Sequence, residues 1–240
     1  GVRFNEDYFD FFSDINVMGR TLALGGALDD VVLSLDNIQP PGTRFHYNSL
    51  DTQVLGMLVM KATGRSLSEY FEDKVWAMMG SEADAYFLLD NHHNQMEVAF
   101  GGLYARTRDY ARFGWLYINE GKSPLDGTTQ IIDRAYIHAS ITPDAPHLFP
   151  GAHKKNLSDL PLGYGYQWWL PASEMNEDEV GGDYVAIGVY NQFIYVAPRE
   201  GFVIARNSAF ANYEKEALVS ELKAVACFRQ IVEHFAGKRD

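Results

Sequence analysis

Residues 41–56 read PGTRFHYNSLDTQVLG, and this segment carries the clearest structural signal in the chain. The Pro-Gly pair at its start indicates a turn. Beyond the turn, apolar residues recur at helical spacing: Leu50, Val54, Leu55, Leu58, Val59 and Ala62. The pattern predicts a helix from residue 49 or 50 to residue 63, ended by Gly64. Tyr47 and Ser49 then lie at the amino-terminal end of that helix.

Tyr47 and Ser49 are candidate catalytic residues because they lie at the amino terminus of the predicted helix. The amino terminus of a helix carries partial positive charge, which favours an anionic or strongly polarised tyrosine oxygen nearby. Such help is needed because a free tyrosine has a pKa of about 10 and is a poor base at neutral pH. The residues alone also allow a purely structural interpretation, in which Tyr47 packs and Ser49 caps the helix.

The first two-thirds of the chain predict helices separated by glycine-containing turns. Residues 1–25 predict a folded loop region, and residues 27–36 predict one short helix. A Ser-x-x-Glu capping box predicts a helix over residues 66–80. Thr107 is expected to cap a further helix, which runs to residue 119.

After about residue 160 the pattern changes to short β-type segments joined by Gly, Pro and acidic turns. Residues 198–201 predict a hairpin tip, and residues 213–235 predict a closing helix with one apolar face. The strands are predicted at residues 164–169, 184–188, 192–196 and 202–206. The order predicts an α+β fold, with an antiparallel sheet flanked by helices. The helical part is expected over about residues 1–160, and the sheet with the terminal helix over about 161–240.

Composition excludes several classes of function. The formal charge of -12 over 240 residues argues against nucleic acid as a partner, because a phosphate backbone needs clustered Lys and Arg. No apolar run approaches the roughly 18 to 20 residues of a membrane span. The single cysteine, Cys227, is expected to be a core residue. One cysteine is compatible with either the bacterial cytoplasm or the periplasm, so the compartment stays open.

A search for familiar catalytic motifs is mostly negative. The chain has no glycine-rich phosphate loop, no Gly-x-Ser-x-Gly and no His-Glu-x-x-His. His92 and His93 lack the spacing of metal ligands and are expected in solvent, so a metal hydrolase built on them is disfavoured. No cofactor is predicted.

Four segments, in order, resemble the β-lactamase-related serine hydrolases, which include class C β-lactamases and 6-aminohexanoate-dimer hydrolases. The segment around Tyr47 and Ser49 resembles the second motif of that family. The other three are FGGL with TRDYARFG at 100–114, GYGYQWW at 163–169, and GVYNQF at 188–193. The resemblance covers essentially the whole chain. It implies the β-lactamase/transpeptidase-like form of the α+β fold, in which this chain is the carboxyl-terminal part of a single hydrolase domain.

The resemblance also implies a two-step acyl transfer. A serine in Ser-x-x-Lys attacks an ester or amide carbonyl, and the lysine and the second-motif tyrosine handle its proton. By position, Tyr47 is the general acid/base and Ser49 is its companion. The turn at Gly188 supplies the N–H of Val189 as an oxyanion donor. Tyr8 resembles a loop tyrosine that closes over substrate, although simple packing is an equal alternative.

The nucleophile is the main departure from the family pattern. Ser13 and Ser34, upstream of Tyr47, have no lysine three residues on. Ser220 does have one, Lys223, but it lies on the wrong side of Tyr47 and in an amphipathic helix. The chain is therefore expected to be inactive by itself. It also starts at Gly1 without Met or a signal peptide, so a missing amino-terminal segment is expected to complete the fold.

Two further features bear on substrate and on alternatives. Ala186 stands where many relatives have a cation that binds the carboxylate of penicillins, so a neutral ester or amide small molecule is favoured. Serine at position 49, where class C enzymes have asparagine, agrees with this. The alternative is a non-catalytic binding domain (a pseudoenzyme) that keeps the aromatic pocket residues. Those residues, predicted to bind substrate, are Tyr8, Tyr190, Trp168 and Trp169.

Overall fold

A computed structural model of the protein describes residues 1–152, 162–173 and 180–238. The chain forms two units. The first comprises residues 1–74 and 84–105, and the second comprises residues 75–83 and 106–240. The helix after residue 106 belongs to the second unit because it packs with the later strands.

The first unit is mainly helical, with one small antiparallel sheet. Its helices are α1 (Asp14–Ala23), α2 (Leu28–Leu33), α3 (Ser49–Thr63) and α4 (Leu67–Phe71). Its sheet pairs β1 (Tyr86–Phe87) with β2 (Leu103–Tyr104). A π-helical turn, Glu72–Trp76, follows α4 and leads into the second unit.

Helix α3 confirms the strongest prediction. It ends at Gly64, whose φ of 68° is left-handed and whose N–H bonds to the carbonyl of Met60. The Ser66–Glu69 capping box is also present at the start of α4. The predicted extension of that helix to residue 80 is wrong, since regular α-helix stops at Phe71.

The prediction of a loop over residues 1–25 is wrong, because this segment contains helix α1. Ser13 caps this helix, its Oγ accepting the N–H of Asn16, and Asp14 adds negative charge to the first turn. Ile15 and Met18 then enter the core of the first unit with Phe4, Leu28, Leu50 and Val98. This core packs the amino-terminal segment against the start of α3.

Among its described residues, the second unit has a five-stranded antiparallel sheet with helices. Its strands lie in sheet order β3 (Gly163–Tyr164), β4 (Trp169–Leu170), β5 (Tyr184–Gly188), β6 (Gln192–Ala197) and β7 (Phe202–Arg206). Its helices are α5 (Thr107–Ile118), α6 (Arg134–Ser140) and α7 (Tyr213–Ala236), with a 3-10 turn at Pro146–Leu148. The α+β fold is confirmed.

Alternate residues of β6 face α5 and α7 on opposite sides of the sheet, as the pleat of a strand requires. Gly114 of α5 is so close that an added Cβ would lie 2.9 Å from a methyl of Ile194 and 3.3 Å from one of Val196. On the other side, the rings of Phe193 and Tyr195 contact Phe228 of α7. Two helices therefore cover the sheet.

Two local predictions in this unit are corrected. The single strand predicted over residues 164–169 is two strands, because Gln167 turns the chain with a φ of 66° and the N–H of Gly165 bonds to the carbonyl of Trp168. Thr107 is the first residue of α5, and Arg106 occupies the cap position without a side-chain hydrogen bond.

Cys227 is exposed, so the prediction that it lies in the core is wrong. The buried face of α7 runs through Glu221, Ala224, Val225, Phe228 and Val232, at helical spacing, and residue 227 lies off that face. None of the helices within residues 1–152, 162–173 and 180–238 is long and apolar enough to cross a membrane.

Candidate active site

Tyr47 and Ser49 flank the residue that caps helix α3. The residue between them, Asn48, is the helix cap, and its side-chain oxygen accepts the N–H of Leu50 at 2.9 Å. Ser49 is therefore the first helical residue, and the alternative in which Ser49 caps the helix is wrong. The Ser49 side chain is free of the capping role and is buried, with 5% exposure.

Ser49 uses both its main chain and its side chain to bind Glu6. Its backbone N–H donates to one carboxylate oxygen of Glu6 at 3.0 Å, and its hydroxyl donates to the other at 2.5 Å. Glu6 is itself buried, with 7% exposure. A carboxylate at this place lies on the positive end of the α3 dipole, which favours its negative charge.

Tyr8 joins the same cluster. Its hydroxyl donates to Glu6 at 2.9 Å, on the oxygen that also accepts the Ser49 hydroxyl. Burial, the nearby charge of Glu6 and the proximity of Tyr47 all raise the pKa of Tyr8 well above its ordinary value. Tyr8 therefore remains a neutral phenol at physiological pH and acts as a hydrogen-bond donor rather than as a base.

Burial also raises the pKa of Glu6, since desolvation penalises its charged form. Hydrogen bonds from Ser49 and Tyr8 act in the opposite direction, and the carboxylate of Asp51 adds a further rise. Ser49 and Tyr8 thus bind one buried acid, and Tyr47 lies close enough to Tyr8 to raise its pKa.

Glu6 is the member of this cluster that sequence reasoning missed. The only signal was an acidic residue in an aromatic stretch, two positions before Tyr8. A buried carboxylate needs hydrogen-bond partners, but the sequence does not indicate that the partner is 43 residues away.

Tyr8 also lines an open depression of about 350 Å³ in the first unit. Phe9, Phe11, Asn16, Gly19, Arg20 and Ala23 form the rest of its lining. The Arg20 guanidinium lies over the Phe11 ring, 4.0 Å from its centroid. Tyr8 also packs against the core of the first unit, and its contact with substrate stays a prediction.

The turn with the predicted oxyanion donor lies in the second unit. Strand β5 ends at Gly188, and β6 begins at Gln192. Between them, Tyr190 and Asn191 both have left-handed backbones, with φ of 61° and 66°. This conformation is costly for a tyrosine, so the surroundings must hold it.

Three contacts hold this turn. The Asn191 side chain is buried and donates to Ser220 of α7 at 3.1 Å. The Tyr190 ring packs on Tyr213 of the same helix, with centroids 5.4 Å apart. The side-chain oxygen of Gln192 accepts the N–H of Ser208. The position of Val189 is thus set by its neighbours in the turn.

Trp168 and Trp169 are core residues of the second unit, each with 4% exposure. The Trp168 ring contacts Tyr117 and Tyr184, and Trp169 contacts Tyr164. Packing is their observed role, and substrate binding by either stays a prediction. Tyr190, in contrast, is 53% exposed.

His92 and His93 lie in an exposed turn, as expected. Within the part of the chain that the structure describes, no three His, Cys, Asp or Glu side chains gather as metal ligands.

The predicted site residues divide between the two units. The first contains Tyr8, Tyr47 and Ser49: Tyr8 and Ser49 both bind Glu6, and Tyr47 lies near Tyr8. The second contains the other five: Gly188, Val189, Tyr190, Trp168 and Trp169. That Tyr47 and Val189 serve one site stays a prediction.

Comparison with known proteins identifies the family. The β-lactamase family model matches residues 3–224. The 6-aminohexanoate-dimer hydrolase of Paenarthrobacter ureafaciens is 24% identical over an alignment of 224 residues, and the alignment covers 88% of this chain and 52% of that protein. The chain therefore spans about half the length of this curated relative.

Solved structures agree on the fold. One assigned as a 6-aminohexanoate-dimer hydrolase from Bacillus anthracis has a TM-score of 0.74 at 24% identity, covering 98% of this chain and 58% of that one. Simvastatin synthase from Aspergillus terreus has a TM-score of 0.54 at 13% identity, covering 90% and 62%. A penicillin-binding protein from Bacillus halodurans has a TM-score of 0.51 at 18% identity, covering 77% and 58%.

These matches define a protein with the fold of β-lactamases and penicillin-binding proteins. The chain belongs to the β-lactamase family, as its motifs predicted.

Proposed function

We propose that the protein is a serine hydrolase that cleaves neutral ester or amide small molecules through an acyl-enzyme. The observation that carries this proposal is the Tyr47-x-Ser49 motif at the start of α3, in a chain whose family match extends over residues 3–224. The hydrolase names of its relatives agree with it.

In this proposal a serine hydroxyl attacks the substrate carbonyl. Its proton passes to the lysine of Ser-x-x-Lys and Tyr47, and then to the leaving alcohol or amine. The oxyanion accepts two N–H groups, one of them from Val189. A water molecule, deprotonated by the same groups, then attacks the acyl ester and releases the acid.

We further propose that Ser-x-x-Lys comes from sequence outside these 240 residues, so that the chain alone is inactive. Within the described residues, β7 is hydrogen-bonded to a strand on one side only, that of β6. An open sheet edge is a natural site for another strand. The chain alone is therefore expected to be poorly stable, and a sharp thermal transition of the monomeric 240-residue chain would contradict this.

A fluorophosphonate probe on the full-length protein tests the function. Such probes react with activated serines, so we expect covalent labelling, with the labelled serine three residues before a lysine and upstream of Gly1. Absence of labelling would contradict the proposal and favour the alternative of a non-catalytic binding domain. Labelling at a serine within residues 1–240 would contradict the placement of the nucleophile.

A further inference from the structure

The carboxylate of Glu6 is buried and accepts three hydrogen bonds, from the Ser49 N–H, the Ser49 hydroxyl and the Tyr8 hydroxyl. The other charged group that acts on it is the carboxylate of Asp51. Among the described residues no cation pairs with Glu6. An anion kept out of water in this way is costly, so the contacts that hold it must be specific.

These hydrogen bonds fix the direction of two hydroxyl groups. A serine or tyrosine hydroxyl has one proton to donate. Because Ser49 and Tyr8 both donate that proton to Glu6, only their oxygen lone pairs remain for other groups. Without Glu6, each hydroxyl could rotate and present its proton elsewhere.

The cluster also connects two parts of the chain next to Tyr47. Glu6 and Tyr8 lie before α1, whereas Ser49 is the first residue of α3. Tyr47 is two residues from Ser49, and its proximity raises the pKa of Tyr8. A change at Glu6 therefore alters the hydrogen bonds of both Ser49 and Tyr8.

We propose that Glu6 is a positioning residue, which orients the hydroxyl groups of Ser49 and Tyr8 beside Tyr47. This inference rests on the proposed hydrolase function for its catalytic consequence. Glu6 acts through its neighbours and is not itself a catalytic residue.

Glu97 provides a matched comparison in the same unit. It is also buried, with 5% exposure, and it also binds the start of a helix, accepting the N–H groups of Leu67 and Ser68 in α4. These partners are backbone groups. Glu97 therefore stabilises a helix start, as Glu6 does, but among the described residues its carboxylate forms no hydrogen bond with a predicted site residue.

The test compares Glu6→Gln with Glu97→Gln in the full-length protein, with a p-nitrophenyl ester as substrate. Glutamine keeps one acceptor oxygen but places an NH₂ donor against the donors of Ser49. We expect Glu6→Gln to lower kcat by about 10- to 100-fold with little change in KM, since misoriented groups affect the reaction more than binding. Glu97→Gln should leave kcat within about twofold, although both variants lose stability.

A double-mutant cycle on unfolding, with Glu6→Gln and Ser49→Ala, is independent of activity. We expect the two changes to be coupled by at least about fivefold in the unfolding equilibrium constant. Coupling below about twofold would overturn the inference, as would an unchanged kcat in Glu6→Gln. An inactive wild-type protein would overturn the proposed function instead, and strong coupling would then still support the orientation of Ser49 by Glu6.

Discussion

The buried side-chain amide of Asn191 lies 3.1 Å from the hydroxyl of Ser220, which joins the turn between β5 and β6 to helix α7. The same hydroxyl donates to the carbonyl of Ala217 in its own helix, at 2.9 Å. Ser220 therefore supports the turn that carries Val189. We therefore expect the match of Ser220 and Lys223 to Ser-x-x-Lys to be a chance match in a helix that supports this turn.

Two substitutions test whether Ser220 supports the turn or acts as the nucleophile. We expect Ser220→Ala to destabilise the full-length protein by about 1 kcal/mol, because buried Asn191 loses a partner, and to retain fluorophosphonate labelling. Lys223 is exposed, so Lys223→Ala should change neither labelling nor stability. Loss of labelling in both variants would show that Ser220 is the nucleophile.

Replacing two helical glycines of the first unit with alanine should change the stability of the protein in opposite directions. An added Cβ at Gly56 of α3 would lie 2.6 Å from the Cβ of Ala99, whereas Gly19 of α1 has nothing within 4 Å. We expect Gly56→Ala to cost about 1 to 2 kcal/mol of unfolding free energy through overpacking. Gly19→Ala should add about 0.5 to 1 kcal/mol through helix propensity. Urea unfolding of both variants tests this, and equal effects would contradict the close packing of α3.

Arg229 of α7 forms an ion pair with Asp183, a buried residue directly before β5. Its guanidinium lies 3.2 Å from Asp183 and 2.9 Å from Glu200, and Tyr195 also donates to Asp183. We expect Arg229→Ala to cost about 2 kcal/mol at neutral pH, less than for a fully buried pair because Arg229 is 31% exposed. The surface pair of Arg134 and Glu120 is the control, since Arg134→Ala should cost less than about 0.5 kcal/mol.

The cost of removing Arg229 should depend on pH. Burial raises the pKa of Asp183, while Tyr195 and Arg229 lower it. The folded protein therefore keeps the Asp183 proton to a higher pH than the unfolded chain, and ionisation lowers stability as pH rises above about 4. Without Arg229, ionisation of Asp183 costs more stability. The unfolding free energy lost in Arg229→Ala should therefore be larger at about pH 8 than at about pH 5. A larger loss at the acidic pH would contradict the assignment.

How far the sequence predicts this structure depends on the range of the interactions. Helix α3 and its end at Gly64 were predictable because the spacing and the glycine are local signals. The contact between Glu6 and Ser49 was not, since it joins residues 43 positions apart. The split of residues 164–169 into two strands was missed because aromatic residues favour strands, while the left-handed Gln167 reverses the chain.

The proposed preference for neutral substrates rests on Ala186. Ala186 packs against the buried aromatic cluster of the second unit that contains Trp168 and Tyr184, and its methyl group offers no charge to a carboxylate. A charge-assisted hydrogen bond is worth about 1.5 to 3 kcal/mol, so its absence should reduce kcat/KM for nitrocefin by about 10- to 100-fold. We expect the full-length enzyme to hydrolyse a p-nitrophenyl ester much faster than nitrocefin. Similar kcat/KM values for the two would contradict the preference for neutral substrates.

The most direct test of the account is the kcat of Tyr47→Phe in the full-length protein with a p-nitrophenyl ester. Removing a general acid/base should lower kcat by about 10²- to 10⁴-fold. Tyr86→Phe, at a 67% exposed tyrosine of the same unit, is the control and should retain full activity. A kcat of Tyr47→Phe within about twofold of wild type would contradict the assignment of Tyr47 as the proton-transfer group.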